Sequence, residues 1–193
     1  QIKKGGIVIL VDDEDRENEG DMVMAAQDAT PQNITVMANE ARGLICTPMI
    51  GDDLDRLGLP MQVQNNTAEH GTAFTVTVDS KFGITTGISS ADRAHTIQLL
   101  ADEESSAANF VQPGHVFPLR YEEGGVLVRA GHTEGSVDLV RLAGKHPAAV
   151  ICEILNDDGT MARRPQLEET AKKHDYPIVT IADVIAYRMS HEK

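Results

Sequence analysis

A strand-like apolar run that leads directly into a cluster of acids constrains the fold of this chain more than any other segment. The run is Ile7-Val8-Ile9-Leu10-Val11, and residues 12–21 follow it with seven carboxylates and one arginine. Because a buried strand ends at the edge of the core, these acids are expected to lie close together there. Like charges at short range raise one another's pKa unless a cation or a proton joins them. Carboxylate oxygens suit a hard divalent cation, so the cluster predicts a metal-assisted site.

The EF-hand is the first metal-binding loop to compare with this cluster. A loop that starts at Asp15 places Glu17, Glu19 and Gly20 at its third, fifth and sixth positions. Its twelfth position, which must be a bidentate acid, is Ala26 in a second strand-like run. The EF-hand interpretation therefore fails. A solvated acidic turn remains the alternative to a metal site, as it does for most runs of charge.

Charge and cysteine usage exclude several classes of function. The net charge is −13, which argues against nucleic acid as a partner, because nucleic-acid binding needs a basic face. No apolar run approaches the ~20 residues of a membrane span, and no signal peptide opens the sequence. Cys46 and Cys152 lie in separate apolar runs without a spacing motif, which indicates free thiols in a reducing, cytoplasmic protein. The chain begins with Gln1 rather than Met, so we expect its natural N-terminus to lie further upstream.

Helix-like and strand-like segments follow one another without a regular repeat. Thr30, followed by proline, is a good N-cap for a helix through Ala41. Residues 73–78 alternate and are rich in β-branched side chains, which predicts a strand, and Val126–Arg129 is predicted to form another short strand. Because helices do not alternate strictly with strands, we expect residues 1–193 to form a single α+β domain, a mixed β-sheet layered with helices.

Three of the seven histidines stand next to glycine, namely His70, His115 and His132. Glycine beside a polar side chain lets backbone and ligand approach closely. The richest segment is Arg129-Ala130-Gly131-His132-Thr133-Glu134, which combines an arginine for a phosphate, a histidine for a metal and a hydroxyl just before a predicted helix. Free N–H groups at a helix N-terminus favour an anion. Each histidine taken alone is still better explained by a structural role.

Glu153 is an acid in an otherwise apolar strand-like run, Ala148-Ala149-Val150-Ile151-Cys152-Glu153-Ile154-Leu155. A carboxylate in a buried strand must be paired, hydrogen-bonded or protonated. Such a group is suited to general acid–base work. A structural ion pair at the end of the strand explains Glu153 equally well.

Several of these segments occur together, in the same order, in one enzyme family. The matching motifs are residues 12–21, His70-Gly71-Thr72-Ala73-Phe74-Thr75-Val76, Gly83-Ile84-Thr85-Thr86-Gly87-Ile88-Ser89, Pro113-Gly114-His115-Val116-Phe117-Pro118-Leu119-Arg120 and Gly131-His132-Thr133-Glu134. From about Gly6 to Arg188 the chain closely resembles 3,4-dihydroxy-2-butanone 4-phosphate synthase, an enzyme of riboflavin biosynthesis. Long motifs in a fixed order make this resemblance very specific.

The resemblance implies a Mg²⁺-dependent lyase that converts D-ribulose 5-phosphate into formate and L-3,4-dihydroxy-2-butanone 4-phosphate. By analogy, Glu17 and His132 ligate the metal, and Mn²⁺ is a plausible substitute for Mg²⁺. The catalytic positions that the resemblance implies are His115, Glu153, Glu19 and Cys46. The substrate contacts that it implies are Arg16, Glu17, Asp21, Arg129, Ala130, Gly131, His132 and Thr133.

The resemblance also bears on partners. It implies a homodimer with active sites at the subunit interface, and in some bacteria a fusion to GTP cyclohydrolase II or a related second domain. Two rival functions stay open at this point. One is another metal-dependent sugar-phosphate enzyme, an aldolase or isomerase, and the other is a non-catalytic anion-binding module.

Overall fold

The structure is a computed structural model that describes residues 1–192. Its centre is a seven-stranded sheet in the spatial order β4-β5-β3-β6-β2-β1-β7. The strands are β1 Val8–Val11, β2 Gly20–Ala25, β3 Cys46–Met49, β4 Val78–Ser80, β5 Phe110–Arg120, β6 Ala149–Glu153 and β7 Ile178–Thr180. The pairs β1–β7 and β3–β5 are parallel and the others antiparallel, so the expectation of a mixed sheet is confirmed.

Helices cover both faces of this sheet, as the layered α+β expectation requires. The helices are α1 Pro31–Val36, which continues as a π-helical turn over Met37–Ala41, α2 Gly51–Arg56, α3 Ser90–Leu100, α4 His132–Leu142, α5 Arg164–His174 and α6 Ile181–His191. Helix α1 begins as predicted, because the Thr30 hydroxyl accepts a hydrogen bond from the Asn33 N–H at 3.2 Å. Within residues 1–192, none of the helices combines the length and the apolar character that a membrane crossing needs.

Strand β1 is apolar throughout because both of its faces are buried. Ile9 and Val11 pack into one hydrophobic cluster with α1, α3 and α5, whereas Val8 and Leu10 pack into a second cluster with α4 and α6. Side chains alternate between the two faces of a strand, so a strand between two helix layers must be apolar at every position. The sequence pattern at the start of the chain therefore follows from this layering.

The strand predicted over residues 73–78 is wrong in extent. Phe74 and Thr75 form only isolated bridges, and β4 begins at Val78. The Thr75 N–H donates to the Pro118 carbonyl at 3.0 Å, but Pro118 has no N–H to return. A continuous ladder with β5 is therefore interrupted at this position.

The short strand predicted over Val126–Arg129 is also wrong, because the structure has a 3-10 turn at Gly125–Leu127. Gly124 and Gly125 both have positive φ, 94° and 64°, which bends the chain back. The Val126 N–H then donates to the buried Asp138 carboxylate at 2.9 Å instead of to a neighbouring strand. This turn delivers the chain to the start of α4, where the functional site lies.

Candidate active site

The acid cluster after β1 is divided by the fold, because Asp13, Glu14 and Asp15 are exposed in a turn whereas Asp12 and Asp21 are buried. The buried carboxylate of Asp12 accepts hydrogen bonds from the backbone N–H groups of Glu17, at 3.0 Å, and Glu19, at 2.9 Å. It also accepts one from the Arg16 guanidinium at 3.0 Å. Asp12 thereby fixes the loop that carries Glu17 and Glu19 and leads to Asp21 on β2. Its role went unpredicted, although its place directly after the apolar run is a usable signal.

Glu17 and His132 meet although 115 positions of sequence separate them. His132 is the first residue of α4, and its Nδ1 lies 3.4 Å from Glu17 Oε2. Its Nε2 lies 3.8 Å from Asp21 Oδ1. One ligand atom from each of Asp12, Glu17 and His132 falls within 4.8 Å of the others. The fold therefore gathers two carboxylates and an imidazole at one point.

These residues fit a divalent cation. Asp21 Oδ1 and His132 Nε2 are buried, and no hydrogen-bond partner for either atom lies within residues 1–192. A buried polar atom without a partner carries a substantial free-energy cost, which a bound ion removes. Carboxylates suit Mg²⁺ and Mn²⁺, and imidazole is accepted more readily by Mn²⁺. The donor set therefore suits a divalent cation.

Acidic groups outnumber cationic groups at the site, and the pKa values of its residues are shifted as a result. The hydrogen bond with His132, together with the charge of Arg16, lowers the pKa of Glu17 to about 2. Burial raises the pKa of Asp21 to about 7, and the neighbouring acids Glu153 and Glu19 reinforce the shift. Burial opposes protonation of His132, but the charges of Asp21 and Glu17 outweigh it and raise the pKa of His132 to about 9. A proton on His132 supplies the positive charge that a cation would supply in its place.

A small polar cavity of about 80 Å³ opens over this cluster. It brings together nine of the twelve residues predicted for the site, namely Arg16, Glu17, Glu19, Asp21, Cys46, Arg129, His132, Thr133 and Glu153. Burial, followed by the charge of Glu17, raises the pKa of Glu19. The lining also includes four residues that were not predicted, Thr72, Phe74, Leu119 and Ile151. Thr72 and Phe74 belong to the motif around His70, which is the sequence signal that could have identified them.

One wall of the cavity is suited to an anion. The N-cap of α4 is Gly131, which has no side chain to cap the first N–H groups of this 11-residue helix. The Arg129 guanidinium lies beside it, held by Glu134 at 2.6 Å and by the His70 carbonyl at 2.9 Å. A guanidinium group next to the uncapped N–H groups of a helix is a favourable place for a phosphate to bind. Ala130 lines a neighbouring groove instead of this cavity.

The cavity lining also includes Glu153, at the end of β6. Its Oε2 accepts a hydrogen bond from the Leu44 N–H at 2.8 Å. A Cβ on Gly43 would overlap the Glu153 carbonyl oxygen, so glycine permits this close approach. Burial and the nearby charge of Glu153 raise the pKa of the Cys46 thiol. Cys46 therefore lines the cavity as a neutral thiol and not as a thiolate.

His115 lies apart from the other predicted catalytic residues and does not line the cavity. It stands on β5 with its side chain 44% exposed. Its Nδ1 pairs with Asp79 Oδ2 at 2.7 Å. The structure therefore does not bring His115 together with Glu19, Cys46 and Glu153, the other three predicted catalytic residues.

Comparison with known proteins agrees with the geometry. A family model described as 3,4-dihydroxy-2-butanone 4-phosphate synthase matches residues 1–187. A protein of that name from Neisseria meningitidis serogroup B is 57% identical over 191 residues, which cover 99% of this chain and 53% of that protein. Another protein of that name, from Agrobacterium fabrum, is 56% identical over 186 residues, which cover 96% of this chain and 87% of that protein. This chain thus spans about half the length of the first of these curated relatives.

Comparison of the structure with solved structures leads to the same family. A crystal structure of 3,4-dihydroxy-2-butanone 4-phosphate synthase in complex with two magnesium ions superposes with a TM-score of 0.96. Its sequence is 40% identical, and the match covers 99% of this chain and 94% of that one.

Proposed function

The chain belongs to the 3,4-dihydroxy-2-butanone 4-phosphate synthase family, and on that premise we propose that it is a cytoplasmic lyase of riboflavin biosynthesis. It converts D-ribulose 5-phosphate into formate and L-3,4-dihydroxy-2-butanone 4-phosphate. The observation that carries this proposal is the cavity in which Glu17, Asp21, His132 and Glu153 meet beside an uncapped helix N-terminus. It offers a cation site, several acid–base groups and an anion site within one small volume.

In this proposal Glu17 and His132 hold the metal. The metal is Mg²⁺, and Mn²⁺ can take its place. When bound, such a cation stabilises negative charge that develops on the substrate oxygens. The two unpaired buried atoms, Asp21 Oδ1 and His132 Nε2, support a cation at this position. The relative whose crystal structure contains two magnesium ions supports the choice of metal.

The substrate phosphate is the handle by which the sugar is oriented. Arg129, Thr133 and the backbone N–H groups that follow Gly131 bind it, and Ala130 lies within this segment as a backbone contact. Arg16 and Asp21 contact the sugar from the acid loop. A phosphate fixed at the start of α4 places the sugar carbons over the acids of β2 and β6, because both groups line the same cavity.

The reaction requires several proton transfers, since the sugar must be enolised, lose water, rearrange its carbon skeleton and release one carbon as formate. Glu153 is held by the Leu44 N–H with its other oxygen unengaged among residues 1–192, and it acts as one acid–base group. Asp21 has a pKa near 7, which matches such a role at neutral pH. Glu19 is the third candidate, and Cys46 forms the neutral wall beside them.

A homodimer completes the site in this proposal, with the partner's His115 reaching the cavity. Its support is that His115 does not line the cavity of its own chain. The segment between β4 and α3 exposes Phe82 at 66% and Ile88 at 54%, and Val111, opposite Asp79 in the ladder, is 42% exposed. Apolar side chains grouped at a sheet edge are typical of an interface, and β4 is an edge strand.

Formate release from D-ribulose 5-phosphate tests the function directly. We expect formate with Mg²⁺ and none after EDTA is added. An aldolase or isomerase would instead give an aldehyde or an epimer without formate, and an anion-binding module would give no product. Measurement of the oligomeric state in the same samples tests the dimer.

A further inference from the structure

The pairing of β4 with β5 contains an unusual break. Val78 is opposite Val116, but the next residue, Asp79, is opposite Val111. Residues 112–115 therefore have no partners on β4 and bulge out of the ladder. Gly114 lies against the backbone of Val78 so closely that a Cβ would overlap it. The bulge presents the His115 ring at the surface, directly beside Asp79.

Asp79 holds His115 through both of its carboxylate oxygens. Oδ1 accepts a hydrogen bond from the His115 backbone N–H at 2.8 Å, and Oδ2 lies 2.7 Å from Nδ1 of the ring. The Asp79 side chain is only 8% exposed, whereas that of His115 is 44% exposed. Gly87 closes over the pair, since a Cβ there would come within 2.6 Å of His115 Nδ1. The orienting carboxylate is thus buried and the ring that it orients is exposed.

This arrangement selects one tautomer of the ring. A carboxylate oxygen accepts hydrogen bonds, so Nδ1 carries the hydrogen, and in the neutral ring Nε2 keeps its lone pair. Within residues 1–192, Nε2 makes no hydrogen bond. We propose that Asp79 is a positioning residue that fixes the tautomer and the direction of His115, so that Nε2 is ready to accept a proton. The catalytic part of this inference rests on the proposed function.

The substitution Asp79→Asn is a sharp test because the two oxygens have different partners. The amide oxygen of Asn must remain on the His115 backbone N–H, which is a fixed donor. Its NH₂ group then faces Nδ1 and donates to it, which moves the ring hydrogen to Nε2. A nearly isosteric change therefore inverts the tautomer and removes the lone pair from Nε2.

The structure also offers a matched control. Asp53 is a second buried carboxylate that pairs with a histidine, because its Oδ2 lies 2.7 Å from Nε2 of His146. Its side chain is 10% exposed, close to the value for Asp79, and neither residue of this pair lines the candidate cavity. Asp53→Asn makes the same chemical change at a carboxylate that also accepts a hydrogen bond from Arg56 at 2.8 Å. We expect it to leave kcat and the His115 tautomer as they are in the wild type.

The experiment combines ¹⁵N-histidine NMR with the formate assay. The ring signals of His115 are assigned by their loss in His115→Ala. We expect the wild type to show hydrogen on Nδ1, and Asp79→Asn to show it on Nε2. We expect kcat for formate release to fall about 100-fold or more in Asp79→Asn, with KM near the wild-type value.

A double-substitution cycle separates positioning from general stability. Because Asp79 acts through His115, adding Asp79→Asn to His115→Ala should cost no further activity. An unchanged tautomer in an active enzyme, an equal loss of kcat in Asp53→Asn, or independent effects in the cycle would each overturn the proposal. Absence of formate from the wild type would instead refute the proposed function, while the NMR comparison still decides whether Asp79 sets the tautomer.

Discussion

Asp21 on β2 and Glu153 on β6 are direct partners in an antiparallel ladder. Like charges at such positions normally destabilise a sheet. Burial raises the pKa of Asp21 to about 7, which relieves part of the repulsion by favouring a proton there. His132 Nε2 stands 3.8 Å from Asp21 Oδ1, on the α4 side of the same pair. Acids whose pKa is strongly raised by burial and by a neighbouring acid are concentrated at functional sites.

Glu17→Gln should weaken the response to Mg²⁺. The substitution removes one negative oxygen donor from the group formed with Asp12 and His132. Since loss of residues that merely support metal ligands costs about 10–100-fold in metal affinity, loss of a ligand should cost at least that much. A Mg²⁺ titration of formate release measures the effect. Glu14→Gln, an exposed position in the same loop, should titrate like the wild type, and equal behaviour of both variants would remove Glu17 from the metal site.

Glu153→Gln should lower kcat and leave the fold intact. The amide oxygen can still accept the hydrogen bond from the Leu44 N–H, but the side chain no longer exchanges a proton. Loss of one acid–base group reduces kcat by about 10²–10⁴-fold. Steady-state kinetics and thermal unfolding measure the two effects. Glu168→Gln, whose carboxylate is 58% exposed, is the matched control, and a Glu153→Gln enzyme of normal kcat would contradict the assignment.

Arg188→Met should destabilise the protein strongly. Arg188 Nη1 lies 2.7 Å from the buried carboxylate of Asp138, and removal of the guanidinium leaves that charge without its cation. Breaking a buried pair from one side costs about 3–5 kcal/mol. Urea denaturation gives the free energy of unfolding. Arg164→Met breaks an exposed ion pair with Glu168 and should cost about 0–1 kcal/mol, so similar losses in the two variants would show that burial is not decisive.

The stability of the protein should fall in alkaline solution through Tyr121. Burial, together with the hydrogen bond that its hydroxyl donates to Asp138, raises the pKa of Tyr121 from 10 to about 12. Below pH 10 the phenol is protonated in both the folded and the unfolded chain, so its contribution is complete. Between pH 10 and about 12 the unfolded chain releases the proton first, so the free energy of unfolding decreases as pH rises.

Urea denaturation at a series of pH values measures this dependence. In Tyr121→Phe the free energy of unfolding should decrease less steeply between pH 10 and about 12, because the phenol that releases the proton is absent. The variant should also be less stable at neutral pH by about 1–3 kcal/mol, because Asp138 Oδ1 loses its donor. Tyr187→Phe changes a tyrosine that is 49% exposed and should keep the wild-type slope. A wild-type slope in Tyr121→Phe would mean that another group governs the alkaline transition.

Local patterns predicted much of the fold correctly. The apolar run of β1, the Thr30 cap of α1 and the apolar strand β6 depend on neighbours in sequence, and each is found where it was expected. Residues 73–78 and Val126–Arg129 were mispredicted because their hydrogen bonds go to distant partners. The carbonyl of Pro118 and the carboxylate of Asp138 decide those segments, and neither partner can be inferred from local composition.

The sequence by itself determined the family and the types of residue at the candidate site, because the motifs and the acid run are contiguous segments of the chain. It also determined the layered α+β class, since helix-like and strand-like segments do not alternate strictly along the chain. Only the tertiary structure decided which of these residues meet. The pairing of β2 with β6 brings Asp21 to Glu153, and the start of α4 carries His132 to Glu17 across 115 positions. It also set His115 apart, against Asp79, because long-range strand pairing and not local preference fixes where a side chain stands.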